Sequence, residues 1–404
     1  MSLFQQPANS TEGARNVSEV DIIGGSAAGL FAAYLLAREG KRVRLFDAND
    51  VLNTDSRTLI TTSQLTEVLG FFPQEAVCNE IKQIELFSPR RSVTIPMTRP
   101  DLVVERSAVV RLLARKALEA GTEIYGGCKF LNIEPSEEGV TLTIRDTHRD
   151  RTEKFKARTV IGADGTVSRV AKIANVKGHE TTPILQAIVE LPEGYGAHTT
   201  QVWFEPADTP YFYWLIPESQ TQAAVGLITE EGKDTKTKLE QFLSRRGLKI
   251  VDIQAARVPA YTHSVRPWSK ISGADIYLVG DAAAQVKVST VGGLVTGLRG
   301  AKAAANAILR HTDYLKELRP LRQELSLHLL IRSVLNRFRS ADYDRLLGLL
   351  NEKTIHLLGL YNRDQAAGML FRIILAQPRF LKFATFLSPG IWQHENSNLR
   401  AARR

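Results

Sequence analysis

Residues 20–47 spell out a short strand, a glycine-rich turn, a helix and a second strand ending in an acid, an order that few folds accept. Val20–Ile23 is apolar apart from Asp21, Gly24, Gly25 and Gly29 punctuate the next stretch, Ala27–Arg38 is rich in alanine and leucine, and Gly40 supplies a C-cap before Arg42–Phe46 and Asp47. Strand, helix and strand over so short a span make a β-α-β unit with parallel strands, so the chain opens as α/β.

The turn carries chemistry as well as geometry. Gly24, Ser26 and Gly29 occupy the G-x-G-x-x-G positions directly between strand and helix. Such a turn needs glycine first for tightness, a small second residue so that backbone N–H groups reach a pyrophosphate, and glycine third for close helix–strand packing. Ser26 is still small, and its hydroxyl can donate to phosphate. Asp47, eighteen residues after Gly29, stands where a carboxylate takes ribose hydroxyls. A glycine turn that merely packs a β-α-β unit is the competing reading; strand, helix and acid together favour a bound dinucleotide. Two further acids follow strands beside a glycine, Asp164 before Gly165 and Asp281 after Gly280. Ribose and ribityl hydroxyls of FAD would use three such acids, where a simple NAD site would not.

The Gly280-Asp281 pair lies more than two hundred residues after the first turn, which predicts a discontinuous Rossmann-like FAD-binding domain built from residues 19–50, 101–175 and 266–310. Helices are expected over Arg106–Ala120 and Leu294–Leu309, and strands over Thr122–Tyr125, Val140–Arg145, Thr159–Ile161 and Ile276–Val279. Residues 51–100 read as mixed and irregular. From about 180 to 260 alternating aromatic segments such as Gln201–Phe204 and Tyr211–Ile216 predict an antiparallel β-sheet, so 51–100 and 176–265 form the expected substrate domain. Residues 311–404 read as a basic helical C-terminal region, with Leu327, Ile331, Val334 and Phe338 as an apolar stripe and Arg332 and Arg339 on another face; residues 1–18 read as a disordered tail.

Charge sharpens the last point. Residues 1–300 hold equal numbers of basic and acidic side chains, 35 each, while 301–404 hold 17 against 8, so the whole excess of +9 is C-terminal. The stacking aromatics and helix motifs of nucleic-acid binding are missing, so no nucleic-acid partner is expected; peripheral docking on an anionic membrane and a solvated basic face both fit. No stretch reaches the roughly 18–20 apolar residues of a span, which predicts a cytoplasmic protein, peripheral at most at the inner face of the membrane. Cys78 and Cys128 form no CxxC pair and the eight histidines show no ligand spacing, so neither a disulfide framework nor a metal is implied.

The glycine turn, the Ala163-Asp164-Gly165 segment, Arg106 at a helix start after Val103-Val104, and Gly280-Asp281-Ala282-Ala283 together resemble the FAD-dependent hydroxylase-type fold. Within it, GDAAAQVKVSTVGGL at 280–294 is similar to the GDAAGQVKPTTGGGI stretch of geranylgeranyl reductases, with departures that include Ala284, Val288, Val291 and Leu294. PYFYWLIPESQTQAAVGL resembles that family's Tyr-x-Trp-x-Phe-Pro segment, keeping Trp214, Pro217 and Gly226, and 212–217 also looks like the Trp-x-Trp-x-Ile-Pro segment of flavin halogenases. The reductases commonly carry a flavin-face cysteine where this chain has Asn53-Thr54-Asp55-Ser56-Arg57, and the halogenases a lysine for which Lys82 is the sole candidate.

The resemblance implies an enzyme that reduces carbon–carbon double bonds of a small isoprenoid or lipid with hydride from reduced FAD, the electron donor being NADPH or another carrier. A monooxygenase or halogenase-like enzyme, or a flavoprotein that binds lipid without turnover, are the alternatives. The cofactor-binding candidates are Gly24, Ser26, Ala28, Gly29, Asp47, Arg106, Phe130, Asp164, Gly280, Asp281, Gly292, Gly293 and Leu294, the last three as a helix N-terminus facing the anionic edge of the reduced flavin. Pocket candidates are Tyr211 and Tyr213 on one strand face and Phe212 and Trp214 on the other.

Overall fold

The computed structural model describes residues 18–50, 57–229, 234–361, 363–364 and 366–387, so residues 1–17 of the tail expected over 1–18 and the segment Asn53–Ser56 lie outside the described residues, while Ser18 is buried and ordered against Asp21. The opening unit forms as its sequence dictates. β1 (Val20–Ile23) leads into α1 (Ala27–Arg38), and β2 (Val43–Phe46) returns parallel to β1 with Asp21 beside Arg44. That register brings the Arg44 guanidinium onto the Asp21 carboxylate in a bidentate pair, 2.7 and 3.0 Å, and Ser18 Oγ donates to the same carboxylate at 2.8 Å. Both charges are buried, and burial pushes the Asp21 carboxyl above its usual range against the pull of Arg44 and Ser18.

The segment 57–105 is more regular than its sequence suggests. It forms β3 (Thr58–Thr61), α2 (Gln64–Leu69) and two long strands, β4 (Val77–Ser88) and β5 (Arg91–Glu105). Irregular register at Val77/Asn79 and Ile81/Gln83, together with Pro96 and Pro100 inside β5, breaks the two-residue alternation by which strands are recognised. β5 runs across the boundary expected at 100/101 and delivers the chain to α3 (Arg106–Glu119).

Then follow β6 (Glu123–Tyr125), β7 (Cys128–Ser136), β8 (Gly139–Asp146), β9 (Arg151–Ala157), β10 (Thr159–Gly162) and the short α4 (Arg169–Ile173). β11 (Thr181–Glu190), β12 (Thr199–Trp203), β13 (Tyr213–Pro217), β14 (Gln222–Ile228), α5 (Thr235–Arg245) and β15 (Lys249–Pro259) come next, before β16 (Trp268–Ile271), β17 (Ala274–Leu278) and α6 (Leu294–Arg310). Helices α7 (Tyr314–Glu317), α8 (Arg319–Leu335), α9 (Ser340–Gly348), α10 (Glu352–Leu360) and α11 (Ala366–Ala376), and a 3-10 segment Pro378–Phe386, complete the described chain.

Among the described residues the strands make three sheets. The first, in the order β16-β17-β10-β1-β2-β6, is parallel except for β16 and is assembled from segments far apart in sequence. Apolar residues of α1, α3 and α6 cover one face, and β7-β8-β9 covers the other through Phe130, Ile133 and Leu142 packed on Ile23 and Phe46. This is the expected discontinuous α/β domain. The second large sheet, β15-β11-β14-β13-β12-β4-β5-β3, is antiparallel apart from the β12–β4 pair. On one face Tyr213 and Leu215 pack with Leu239, Phe242 and Leu243 of α5, while α9 and α10 lie against β4 and β5.

The helical C-terminal region differs from expectation in its orientation. α8 buries Leu321, Leu325, His328 and Arg332, leaving Leu327 and Ile331 of the expected stripe only half-buried. Two polar side chains sit where periodicity placed none, and each meets a partner outside the helix through one nitrogen, His328 Nδ1 with Ser289 Oγ at 2.5 Å and Arg332 donating to Pro210 O at 2.6 Å.

Candidate cofactor site

The carboxyl ends of β1, β2, β10 and β17 and the N-termini of α1 and α6 meet at one edge of the parallel sheet. Gly24 has φ +105°, and a Cβ there would lie 2.4 Å from the Ala163 carbonyl oxygen. A Cβ at Gly29 would lie 2.2 Å from the Gly24 oxygen, so the turn closes only with glycine at both places. Ser26 caps α1, its Oγ accepting from Gly29 N at 3.2 Å, and no acid stands in the first turn. Asp47 reaches back across the turn, with Oδ2 accepting from Gly25 N at 2.6 Å and Oδ1 from Asn49 N at 2.8 Å.

The other two acids differ sharply from each other. Asp164 accepts from Ser168 Oγ at 2.5 Å and from the amides of Arg169 and Val170 at 2.7 and 3.0 Å, so its visible work is to cap α4. Asp281 is half-buried, with Thr166 Oγ1 3.4 Å from its Oδ2. Burial pushes its carboxyl above the usual range, against the pull of Arg106, Thr166, His179 and Arg57. Thr166, His179 and Arg57 were not singled out by the sequence. Arg57 and Arg106 are also joined through the backbone, Arg106 N donating to Arg57 O at 2.9 Å.

Gly280, at φ +63°, brings β17 under both helices, for a Cβ on it would lie 3.1 Å from Ala28 Cβ and one on Gly297 would lie 3.2 Å from Gly280 Cα. Ala28 is thus packed beside the Gly280 turn. α6 starts at Gly293 with no side-chain cap and no acid in its first turn. A Cβ on Gly293 would lie 3.4 Å from Asp281 Oδ1, so the helix start and this acid share one small space. Phe130 is 6% exposed and belongs to the core between β7-β8-β9 and the parallel sheet rather than to this edge.

This arrangement offers an anion two helix N-termini free of first-turn acids, and offers hydroxyls an acid that feels the charges of Arg57 and Arg106. Residues 17–312 match the family described as FAD binding domain. The chain belongs to that FAD-binding family. It is an FAD-dependent oxidoreductase, and the donor set of the edge fits the dinucleotide. Its similarity to curated proteins runs to digeranylgeranylglycerophospholipid reductase 2 of Methanothermobacter thermautotrophicus, 28% identical over 305 residues covering 71% of this chain and 76% of that one. The digeranylgeranylglycerophospholipid reductase of Methanocaldococcus jannaschii is 26% identical over 393 residues, 91% and 97% of the two chains. Among solved structures, a geranylgeranyl bacteriochlorophyll reductase-like protein from Thermoplasma acidophilum superposes with TM-score 0.77 at 18% identity, covering 92% of this chain and 100% of the other. A flavin-dependent halogenase reaches 0.67 at 16% identity, covering 89% and 77%, which reflects the shared fold.

The large sheet carries the aromatic segment, and the expected pairing of its residues is only half met. β13 starts at Tyr213, so Tyr211 is not on the strand; its amide bonds Thr209 Oγ1 and its ring lies 4.5 Å beneath the Arg332 guanidinium. Tyr213 is core, stacked on Phe242 at 3.9 Å under α5. Phe212 and Trp214 do share a neighbourhood, with ring centroids 6.2 Å apart, and Phe204 links Phe212 to Tyr343 of α9. The sheet and the C-terminal helices therefore close on one aromatic cluster.

Between this cluster and the start of α6 lies a polar group that sequence reasoning missed. Ser289 Oγ and His328 Nδ1 are 2.5 Å apart, Lys287 is ion-paired with Asp364, and Asp364 accepts from Thr62 Oγ1. Burial and the neighbouring Lys287 push the His328 imidazole down to about 4, so it is neutral near pH 7. No local motif announces these residues, because their partners come from four separate stretches of chain.

Proposed function

We propose that the protein reduces carbon–carbon double bonds of a prenyl lipid, the chemistry named for its curated relatives. The observation that carries the reading is the aromatic cluster of Phe204, Phe212, Trp214 and Tyr343, which supplies an apolar wall between sheet and C-terminal helices. In this reading the turn at Gly24, Ser26, Ala28 and Gly29 holds the pyrophosphate. Asp47 and Asp281 accept from cofactor hydroxyls, Arg106 balances Asp281, and Gly292, Gly293 and Leu294 present the α6 N-terminus to the flavin. FAD, when bound and reduced by NADPH or another two-electron carrier, supplies the hydride. Such chemistry would add the hydride to one alkene carbon and a proton to the other. The protein's part is to hold the double bond in line and keep water from the reacting carbons, which apolar walls do well.

The aromatic segment also resembles halogenase sequence, and Lys82 was the lysine such an enzyme would need. Lys82 is exposed on β4, which supports the reductase reading over the halogenase.

The same reading gives the basic C-terminal region a use. Prenyl lipids reside in membranes, and no helix among the described residues is long and apolar enough to cross one. Residues 366–387 contain no acid, expose Phe371, Leu375 and Leu381, and carry Arg372, Arg379 and Lys382 beside them. An apolar surface edged with cations suits docking on an anionic leaflet. Anaerobic reduction followed by addition of a prenyl lipid tests the catalytic part: oxidation of the cofactor with a saturated product supports it, and an oxygenated product formed only in air would replace it with a monooxygenase.

A further inference from the structure

The loop that leads into α6 contains a buried cation in an unusual position. Lys287 is 6% exposed, its amide donates to Gly292 O at 3.2 Å, and its own carbonyl accepts from Val291 N at 2.7 Å. Its side chain folds back along the same loop, so that Cε and Nζ lie 3.3 and 3.6 Å from the place a Cβ on Gly292 would take. The ammonium therefore sits beside the N-terminus of a 17-residue helix, where the helix dipole already makes the potential positive. A buried cation is disfavoured there unless negative charge faces it.

One negative charge is present. Asp364, with a side chain wholly shielded from solvent, pairs with Lys287 Nζ through Oδ1 and with Thr62 Oγ1 through Oδ2. Burial would raise its pKa, but Lys287, Thr62 and Arg363 outweigh that and hold it below the usual carboxylate range. The surrounding ions are matched as well, Arg363 with Asp101 and Arg299 with Glu324, each at 2.6 Å. His328, the remaining titratable group of the cluster, is neutral near pH 7. The cluster is balanced as a whole but polarised locally, with its cation toward the α6 start and its carboxylate toward the C-terminal helices.

We propose that Lys287 and Asp364 are positioning residues that set the reduction potential of the bound flavin, Lys287 stabilising the negative charge of the reduced form and Asp364 limiting how far it does so. This rests on the reading that places the flavin at the Gly292–Leu294 helix start. Because Asp364 stands just before α11, the pair also ties the cofactor's electrostatics to the C-terminal region.

Midpoint potentials, measured by anaerobic dye-coupled titration of the purified holoenzyme with flavin content determined in parallel, test it by sign. Asp364→Asn leaves Lys287 uncompensated, so the potential rises. Lys287→Met leaves the carboxylate, so the potential falls. The charge-swapped Lys287→Glu/Asp364→Lys variant keeps the pair neutral, which protects folding where a single change does not, and moves the cation away from Gly292, so the potential again falls. Thr62→Val keeps both charges and leaves the potential unchanged. Single variants that shift in the same direction, or a charge swap that leaves the potential at the wild-type value, would overturn the proposal by making the pair a packing device. A wild-type protein that takes up no FAD would instead overturn the site reading on which it rests.

Discussion

Trp214 and Gly226 face each other across the β13–β14 ladder, and the indole occupies the volume that a side chain at 226 would need. A Cβ on Gly226 would lie 2.4 Å from Trp214 Cζ2 and 2.6 Å from Leu185 O. The glycine and the tryptophan are one structural unit, which gives a physical reason for both to persist in the segment resembling the reductases.

Gly226→Ala therefore forces the indole off its seat. The expected cost is about 1–3 kcal/mol of stability, as for overpacking elsewhere, with a fall in melting temperature. Flavin content stays near wild type because β14 is not among the strands whose ends form the FAD edge. Unchanged stability would show that the indole moves freely and does not wall a fixed slot.

Val291 has φ +55°, a left-handed conformation in which a β-branched residue is strained, and the similar reductase stretch has glycine there. Removing the strain is worth about 1–2 kcal/mol, and the freer unfolded chain gives back about 0.4–1 kcal/mol. Val291→Gly should thus stabilise the protein modestly in urea unfolding. A loss of more than about 1 kcal/mol would contradict the left-handed backbone at 291.

His328 is 3% exposed and its pKa is depressed to about 4 from an ordinary 6.5, chiefly by burial and then by Lys287. The unfolded chain then binds this proton more readily than the folded one. Stability is complete above about pH 6.5 and is lost as the pH falls toward 4, by about 3 kcal/mol at most from this group. Urea midpoints at about pH 7.5 and about pH 5, on either side of the ordinary imidazole pKa, should differ less in His328→Asn than in the wild type; equal differences would remove His328 from the account.

How much of this was legible in the sequence depended on how local each signal was. The β-α-β unit, the Gly24–Gly29 turn and the Gly280-Asp281 strand end were readable because one short window holds both the pattern and its chemistry. Helix α1 spans the residues its composition indicated. β4 and β5 were not readable, since bulges and prolines spoil their alternation. The Lys287, Asp364, Thr62, Ser289 and His328 group was invisible for a different reason: each looks like an ordinary polar residue until tertiary packing brings the others to it. Tyr211 misled because alternation was extended two residues beyond where the strand begins.

The exposed Phe371, Leu375 and Leu381 with Arg372, Arg379 and Lys382 predict binding to vesicles containing phosphatidylglycerol. Each cation near such a surface contributes on the order of 1 kcal/mol, so flotation should fade with added salt and with charge reversal at the three basic positions. Absence of binding at low salt would show that this face serves another purpose.

In the proposed reaction, FAD bound to this protein and reduced would pass its hydride to an alkene. The most direct measurement is a stopped-flow experiment in which the anaerobically reduced holoenzyme is mixed with a prenyl lipid carrying several double bonds, with the product analysed by mass. Hydride transfer to the alkene would give rapid return of the oxidised flavin spectrum and a product heavier by two hydrogens for each bond reduced. A flavin that stays reduced in the presence of prenyl phospholipids, prenyl diphosphates and prenyl quinones alike, yet reoxidises in air with insertion of oxygen into an organic substrate, would contradict it.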